Sequence, residues 1–232
     1  MSVLLTRPRE DSERVAGILE QRGYDILIDP VLEIEQLPVQ PIDAGPYQAV
    51  VLTSRHAVPA LAAVSPARPV FCVGDATAAK AGMFGGDQLT VGPGDGAGLA
   101  QVIIDRLDPR AGAILHLAGS DVRAEPGDRL QAHGFRVERI TTYRARPSKA
   151  LQPDTVQALR NRRIGQVLLF SPRTASLFLA LAGGLDLGGV QALCLSANVA
   201  VAIDAERFGR VLVATRPDEM ALLDLLEAPG DR

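Results

Sequence analysis

The sequence is poor in cysteine and histidine, and each shortage excludes a class of site. Its two cysteines, Cys72 and Cys194, lie inside apolar segments, so we expect reduced core residues and no disulfide. The three histidines, His56, His116 and His133, form no cluster with the spacing of metal ligands. We therefore expect no metal site.

The sequence also lacks an excess of charge of one sign and any long apolar run. A net charge of −3 and an isoelectric point near 5.7 exclude a strongly basic nucleic-acid surface. No run of about 18 apolar residues occurs and no signal pattern opens the chain, so we expect a cytoplasmic protein without a membrane partner. Lys80 and Lys149 are the only lysines, so arginine, which suits bidentate recognition of carboxylate or phosphate, supplies the remaining cations.

An internal repeat is the main feature that the sequence does contain. Residues 113–145 repeat the pattern of residues 3–35, and Leu4, Leu19 and Gly23 align with Leu115, Leu130 and Gly134 at a constant offset of 111 positions. Each copy predicts a short strand, an amphipathic helix that ends before a glycine, and a second strand.

A second repeat accounts for the rest of the chain. The strand and turn that lead to Ser54 recur at Ser171, and the apolar segment around Cys72 recurs around Cys194. Short apolar strands that alternate with helices predict an α/β protein with parallel sheets buried on both faces. The alternating order of the two repeats leaves two pairings open, tandem domains or one domain inserted into another.

The extended segments after the first type of repeat favour the inserted arrangement, because residues 32–38 and 143–148 can pair as a two-stranded ladder. We predict a discontinuous α/β domain of residues 1–35 and 148–232. Residues 38–145 are predicted to form an inserted α/β domain, connected to the first by the ladder.

With both repeats in place, the chain resembles the uroporphyrinogen-III synthase family over nearly its whole length. The resemblance is carried by TRP at 6–8, LTSRHAV at 52–58, VGDATA at 73–78, ITTYRA at 140–145 and FSPRTA at 170–175. Each motif is short and individually weak, and the resemblance is supported by their order and spacing along the chain. The resemblance implies two similar flavodoxin- or Rossmann-like domains joined by a two-stranded β-ladder, the second inserted into the first.

The resemblance also implies an activity in tetrapyrrole biosynthesis. The reaction is loss of water from hydroxymethylbilane, inversion of the terminal pyrrole ring and closure to uroporphyrinogen III, without cofactor or metal. Because the bilane cyclises without enzyme to the non-inverted isomer, the enzyme's main task is orientation. The implied partners are this substrate and the preceding enzyme, hydroxymethylbilane synthase, and we expect a monomer.

Tyr143 is the candidate catalytic residue. We place it at the end of a strand, where the chain leaves the inserted domain. A phenol is protonated at neutral pH and can donate to a departing hydroxyl group. The alternative is a tyrosine that anchors a hinge through a hydrogen bond to the backbone. The resemblance favours catalysis, since the tyrosine of this motif is the one proposed to assist that departure.

Polar residues in strand-to-helix loops are the candidate substrate contacts. Ser54 and Ser171 occupy equivalent turns, and Thr77 lies in a loop where the family also has a threonine. Hydroxyl groups, backbone N–H groups and helix N-termini there can bind a carboxylate, whereas ordinary helix capping is the alternative. Ser196 and Asn198, in the repeat equivalent of the Thr77 loop, are included although that loop departs from the family pattern.

Arg7 and Arg173 are predicted loop arginines that can clamp acetate or propionate groups, with a solvated or domain-bridging role as the alternative. The glycine-rich stretch at 92–98 lacks the third spaced glycine of a dinucleotide site and predicts a flexible turn. The competing function is a non-enzymatic two-domain module that closes as a hinge on a small anionic ligand. A nucleotide-dependent oxidoreductase ranks third.

Overall fold

The computed structural model describes residues 1–121, 124 and 126–226, so the last residues of the predicted discontinuous domain, 227–232, lie outside the described part. The chain divides into two compact units. The first comprises Met1–Glu33 and Arg146–Arg232, and the second comprises Ile34–Ala145. The predicted α/β class with parallel sheets is confirmed.

Strands and helices alternate along most of the chain. In the first half the elements are β1 (Ser2–Leu5), α1 (Arg9–Glu20), β2 (Ile26–Ile28), β3 (Leu32–Gln36), β4 (Ile42–Asp43), β5 (Tyr47–Leu52), a 3₁₀ helix (Val58–Ala63), β6 (Val64–Ser65), β7 (Val70–Cys72), α2 (Asp75–Met83), β8 (Leu89–Val91) and α3 (Gly96–Ile104). They continue as β9 (Ala113–Gly119), α4 (Gly127–Ala132), β10 (Val137–Pro147), α5 (Pro153–Arg160), β11 (Ile164–Leu169), α6 (Pro172–Leu181), β12 (Gln191–Cys194), α7 (Ala197–Val201), a 3₁₀ helix (Ala205–Arg207), β13 (Arg210–Val213) and α8 (Glu219–Leu223).

The first unit is built on a parallel sheet with the strand order β13-β12-β11-β1-β2. From β1 the chain adds β2 on one side, and after the second unit it adds β11, β12 and β13 on the other. The strand order therefore reverses between β1 and β11, and open α/β sheets bind ligands at the carboxyl ends of such strands.

Alternating side chains of β1 face two separate layers of helices. Leu4 packs in a cluster with Phe178 of α6, while Val3 and Leu5 pack with Leu19 of α1 on the other face, and all five side chains are almost fully buried. Because successive residues of a strand point to opposite faces, one short apolar strand serves both layers. Each buried leucine contributes about 2 kcal/mol of hydrophobic free energy.

The second unit repeats this construction with the strand order β3-β10-β9-β5-β7-β8. The pairings of β10 with β9, β9 with β5, β5 with β7 and β7 with β8 are parallel. The order reverses between β5 and β9. The residues at which the chain passes between the units lie in β3 and β10, which are neighbours at the edge of this sheet.

Helices cover both faces of the second sheet as well. Leu52 of β5 packs with Ala78 of α2, whereas Val51 packs with Leu99 of α3 and Leu130 of α4. Within the described residues, no helix is long and apolar enough to cross a membrane.

Candidate functional site

Three candidate residues lie at the carboxyl edge of the second unit's sheet. Ser54 comes two residues after β5, Thr77 follows β7, and Tyr143 pairs in register with Gly119, the last residue of β9. Because β5, β7 and β9 are parallel, their carboxyl ends share one edge. The topology therefore brings these three residues to the same edge of the unit, next to the point where the strand order reverses.

Tyr143 lies within β10 and not at the end of a strand, which corrects the prediction. The strand continues to Pro147, while β9 stops at Gly119, so the parallel pairing ends at Tyr143, after an irregularity that begins at Thr141. The half-buried ring meets the ring of His56 edge-on at 5.6 Å between centroids. Among the described residues the phenol hydroxyl has no hydrogen-bond partner, whereas a hinge anchor requires one.

Thr77 lies in the first turn of α2 and not in a loop, which is a second correction. The N-cap position belongs to Gly74, whose carbonyl accepts the Thr77 N–H at 3.1 Å, so Thr77 is not a capping residue. Gly74 has no side chain to cap the helix, and the early backbone N–H groups of α2 receive no side-chain cap. Thr77 is 5% exposed, and its hydroxyl makes no hydrogen bond to the described residues.

Ser54 forms a tight local turn in front of the 3₁₀ helix. Its hydroxyl oxygen accepts a hydrogen bond from the backbone N–H of His56 at 3.2 Å. The O–H proton is not used in that bond, so the residue can still donate to a ligand. Ser54 thus combines the structural role and the donor capacity that the sequence left as alternatives.

The first unit has an equivalent edge, where candidate residues also follow the strands. Arg7 comes two residues after β1, Ser171 two after β11 and Ser196 two after β12. Arg173 and Asn198 were predicted in loops, but they lie in the first turns of α6 and α7. Each helix begins almost directly after its strand, which leaves little loop to hold these residues.

Ser171 acts as the N-cap of α6. Its hydroxyl oxygen accepts from the Thr174 N–H at 3.2 Å and lies 2.9 Å from the Thr174 hydroxyl, so the capping interpretation describes what this side chain does. Ser196 holds the same position before α7 without a side-chain cap bond, and Asn198 is exposed. These two side chains are the more available polar groups of this unit.

Arg7 is not a solvated loop residue. Its guanidinium lies 3.2 Å from Glu219 and 3.4 Å from Asp11, and 4.5 Å above the ring of Phe170. Burial lowers the pKa of Arg7, and the Glu219 carboxylate opposes that effect. Arg14 shares the same carboxylate. The charge of Arg7 is therefore already balanced within the unit.

Sequence reasoning missed these partners of Arg7 and also the surroundings of His116. The four-residue spacing of Arg7 and Asp11 is a helix-type signal for the first pair, but nothing in the sequence connects Arg7 to Glu219. His116 was treated only as a non-ligand, yet its Nε2 lies 3.1 Å from the Thr53 hydroxyl. Burial, with a further effect of nearby Arg139, lowers the pKa of His116 to about 4, so this imidazole is neutral.

A metal centre is not evident in the part of the chain that the structure describes, where no group of three or more His, Cys, Asp or Glu side chains converges. The two cysteines are buried and unpaired, and burial raises the pKa of each thiol to about 11. The chemistry available at the two edges is therefore hydrogen bonding by hydroxyls, backbone N–H groups and arginines.

Comparison with known proteins gives one family match and several similar folds. The family model described as uroporphyrinogen-III synthase HemD matches residues 13–224. The uroporphyrinogen-III synthetase of Helicobacter pylori is 18% identical, with a TM-score of 0.67 and 97% of each chain covered. A mutant uroporphyrinogen III synthase of Thermus thermophilus is 16% identical, with a TM-score of 0.50 and 97% and 96% of the two chains covered. At these identities the solved structures show a shared fold, and no curated protein matches by sequence.

Proposed function

The chain belongs to the uroporphyrinogen-III synthase HemD family and is a hydro-lyase, and we propose that its substrate is hydroxymethylbilane. In this proposal it removes water from the bilane and cyclises it with inversion of the terminal pyrrole ring. Membership of an enzyme family removes the non-enzymatic hinge module from consideration. We further propose that the chain works as a cytoplasmic monomer, without metal or cofactor, on bilane released by hydroxymethylbilane synthase.

We assign the role of proton donor to Tyr143, and one observation supports this assignment. Its half-buried phenol lies at the carboxyl edge of the sheet, and its hydroxyl has no partner among the described residues. A hydroxyl in that state can donate to the departing hydroxyl of a ligand, which leaves as water when the carbon–oxygen bond breaks. The proton that carbon loses when the macrocycle closes restores the phenol, so the proton balance is even.

We assign substrate binding first to Thr77 and the start of α2. The acetate and propionate groups of the bilane are anionic, and a helix start without a side-chain cap offers N–H donors and a favourable dipole. The unpartnered Thr77 hydroxyl adds one more donor at the same turn. Ser54 is the next donor along this edge.

In the first unit we assign carboxylate binding first to Ser196 and Asn198, and then to Arg173, Ser171 and Arg7. The Ser171 hydroxyl ranks lower because it is engaged in the cap of α6, and Arg7 ranks lower because it is paired with Glu219. Asn198 and Arg173 are exposed at the starts of their helices. Hydroxyl, amide and backbone donors suit a substrate that mainly has to be held in one orientation.

The test generates hydroxymethylbilane in place and separates the oxidised products into type I and type III isomers. The proposal expects the type III isomer from the natural protein. For Tyr143→Phe it expects kcat to fall by about 10²- to 10⁴-fold with little change in KM, because general acid catalysis contributes about that much. Tyr24→Phe, in the first unit, is the matched control. Type I product alone from folded natural protein would refute the substrate assignment, and full activity of Tyr143→Phe would refute the donor.

A further inference from the structure

Gly119 lies directly against the ring of Tyr143. A β-carbon built on Gly119 would lie 2.6 Å from Cζ, 2.8 Å from Cε2 and 2.9 Å from the hydroxyl oxygen of that tyrosine. Distances of this size are well inside van der Waals contact, which for carbon begins at about 3.5 Å. The missing side chain of Gly119 is therefore what allows the phenol to lie across the end of β9.

His56 provides a second contact to the same ring. The two ring planes meet at 63° with 5.6 Å between centroids, an edge-to-face geometry that aromatic pairs prefer. His56 is 9% exposed, and its backbone is tied at both ends. Its N–H donates to Ser54 Oγ at 3.2 Å, and its carbonyl accepts from Gln36 Nε2 at 3.0 Å. The backbone of His56 is thus held in place, and its largely buried ring lies against that of Tyr143.

The backbone around Tyr143 is anchored as well. The carbonyl of Tyr143 accepts the Ser120 N–H at 2.9 Å, and the preceding residue, Thr142, donates its hydroxyl to the carbonyl of Ala118 at 3.2 Å. Main chain and ring are therefore both held against the last residues of β9. The hydroxyl of Tyr143, by contrast, has no partner among the described residues.

We propose that Gly119 and His56 are positioning residues that hold the Tyr143 phenol at the end of β9 in the orientation needed for proton donation. The inference rests on the proposed role of Tyr143. Neither Gly119 nor His56 donates or accepts a proton in the proposed reaction, and both act through the ring of Tyr143. Displacement of a reacting group by about 1 Å can cost about 10²-fold in rate, so a β-carbon that forces the ring aside has a catalytic consequence.

The main variant is Gly119→Ala, with Gly127→Ala as its control. The φ of Gly119 lies outside the left-handed region, so alanine is compatible with its backbone, and the clash with Tyr143 is what the substitution adds. Gly127 lies in the same unit, and a β-carbon there meets no atom of the described residues within 4 Å, its chain neighbours and its own helix backbone aside. We expect Gly119→Ala to lower kcat by about 10-fold or more with little change in KM, and Gly127→Ala to leave both unchanged.

His56→Ala and His56→Phe form the second pair. The phenylalanine retains an aromatic surface beside Tyr143, whereas the alanine removes it. We expect His56→Ala to lower kcat and His56→Phe to restore most of the loss. This pair tests the inference even if Gly119→Ala fails to fold, since it introduces no clash with the tyrosine ring. Equal losses in the two variants would overturn the role of His56.

Two readouts separate positioning from general damage. In the Tyr143→Phe background, Gly119→Ala should cause no further loss of kcat, because the group it displaces is already gone. In addition, the chain has only three tyrosines, so ¹³C-labelled tyrosine rings give spectra in which Tyr143 is easily assigned. Gly119→Ala and His56→Ala should shift the Tyr143 ring signals and leave those of Tyr24 and Tyr47 in place.

The outcomes distinguish the inference from the function on which it rests. Fully additive losses of kcat, or unchanged Tyr143 ring signals in folded Gly119→Ala, would overturn the positioning role while leaving Tyr143 as the donor. If Tyr143→Phe is fully active, the donor assignment fails on that result alone. The ring signals then still report whether Gly119 and His56 hold the tyrosine.

Discussion

Replacement of Thr77 by valine is expected to raise stability and lower activity at the same time. Valine has nearly the shape of threonine, so the substitution exchanges a hydroxyl for a methyl group without opening a cavity. The hydroxyl of Thr77 is buried, with 5% of the residue exposed, and has no partner among the described residues. Burial of a hydroxyl without a hydrogen bond costs about 1–3 kcal/mol in proteins.

Removal of that cost should stabilise the folded state by about 1 kcal/mol, which for a chain of this length corresponds to a rise in Tm of about 2–4 °C. The activity should change in the opposite direction. A hydrogen bond to a charged group is worth about 1.5–3 kcal/mol, so loss of the donor should reduce kcat/KM by about 10- to 100-fold. The reduction should appear mainly as a higher KM if the hydroxyl binds the substrate in its ground state.

Thr174→Val is the matched control for the sign of the stability change. Thr174 is the third residue of α6, as Thr77 is the third residue of α2, and it is 4% exposed. Its hydroxyl does have a partner, because it donates to the Ser171 carbonyl at 3.1 Å. We therefore expect Thr174→Val to lower Tm. Thermal unfolding measures Tm and steady-state kinetics measures KM for both variants. A lower Tm or an unchanged KM for Thr77→Val would refute the reasoning.

Two further predictions concern charge. Glu219→Gln should lower the free energy of unfolding in urea by about 1–3 kcal/mol, because it leaves the half-buried Arg7 and its neighbour Arg14 without their shared carboxylate. Arg14→Ala in the Glu219→Gln variant should partly reverse the loss. An unchanged free energy of unfolding for Glu219→Gln would show that solvent screens both ion pairs. His116, whose pKa of 6.5 is lowered to about 4 on folding, takes up its proton more readily when unfolded, so stability should fall as pH drops from about 6.5 to about 4, by at most about 3 kcal/mol. His116→Gln should remove that part of the pH dependence, and an unchanged profile would contradict a buried neutral histidine.

Part of the candidate site could be predicted from the sequence because residues that follow a strand of a parallel sheet reach its carboxyl edge wherever the strand lies in the sheet. Ser54, Ser171 and Ser196 were found in this way, each two residues after a strand. The positions of Thr77 and Asn198 were wrong by a turn of helix. The cause is that α2 and α7 begin directly after Gly74 and Ser196, which is sooner than these glycine- and serine-containing segments indicate.

The contacts that set the state of each group could not be predicted. Arg7 was assigned to solvent or substrate, but Glu219 neutralises it from more than two hundred residues away in the chain. Tyr143 was placed at a strand end because the chain was expected to leave the inserted domain there, whereas β10 continues to Pro147. Gly119 carries no chemical signal in the sequence, and its importance appears only when the ring of Tyr143 lies against it.

The sequence by itself determined the α/β class, the internal repeat and the family, because the period of apolar residues, the glycines after helices and the order of short motifs are local properties of the chain. Only the tertiary structure decided which hydroxyls have partners, which arginine is neutralised and what holds the phenol. These properties depend on atoms brought within about 3–4 Å by strands that are distant in sequence, and the free energy of burial or pairing exists only after the sheet has formed.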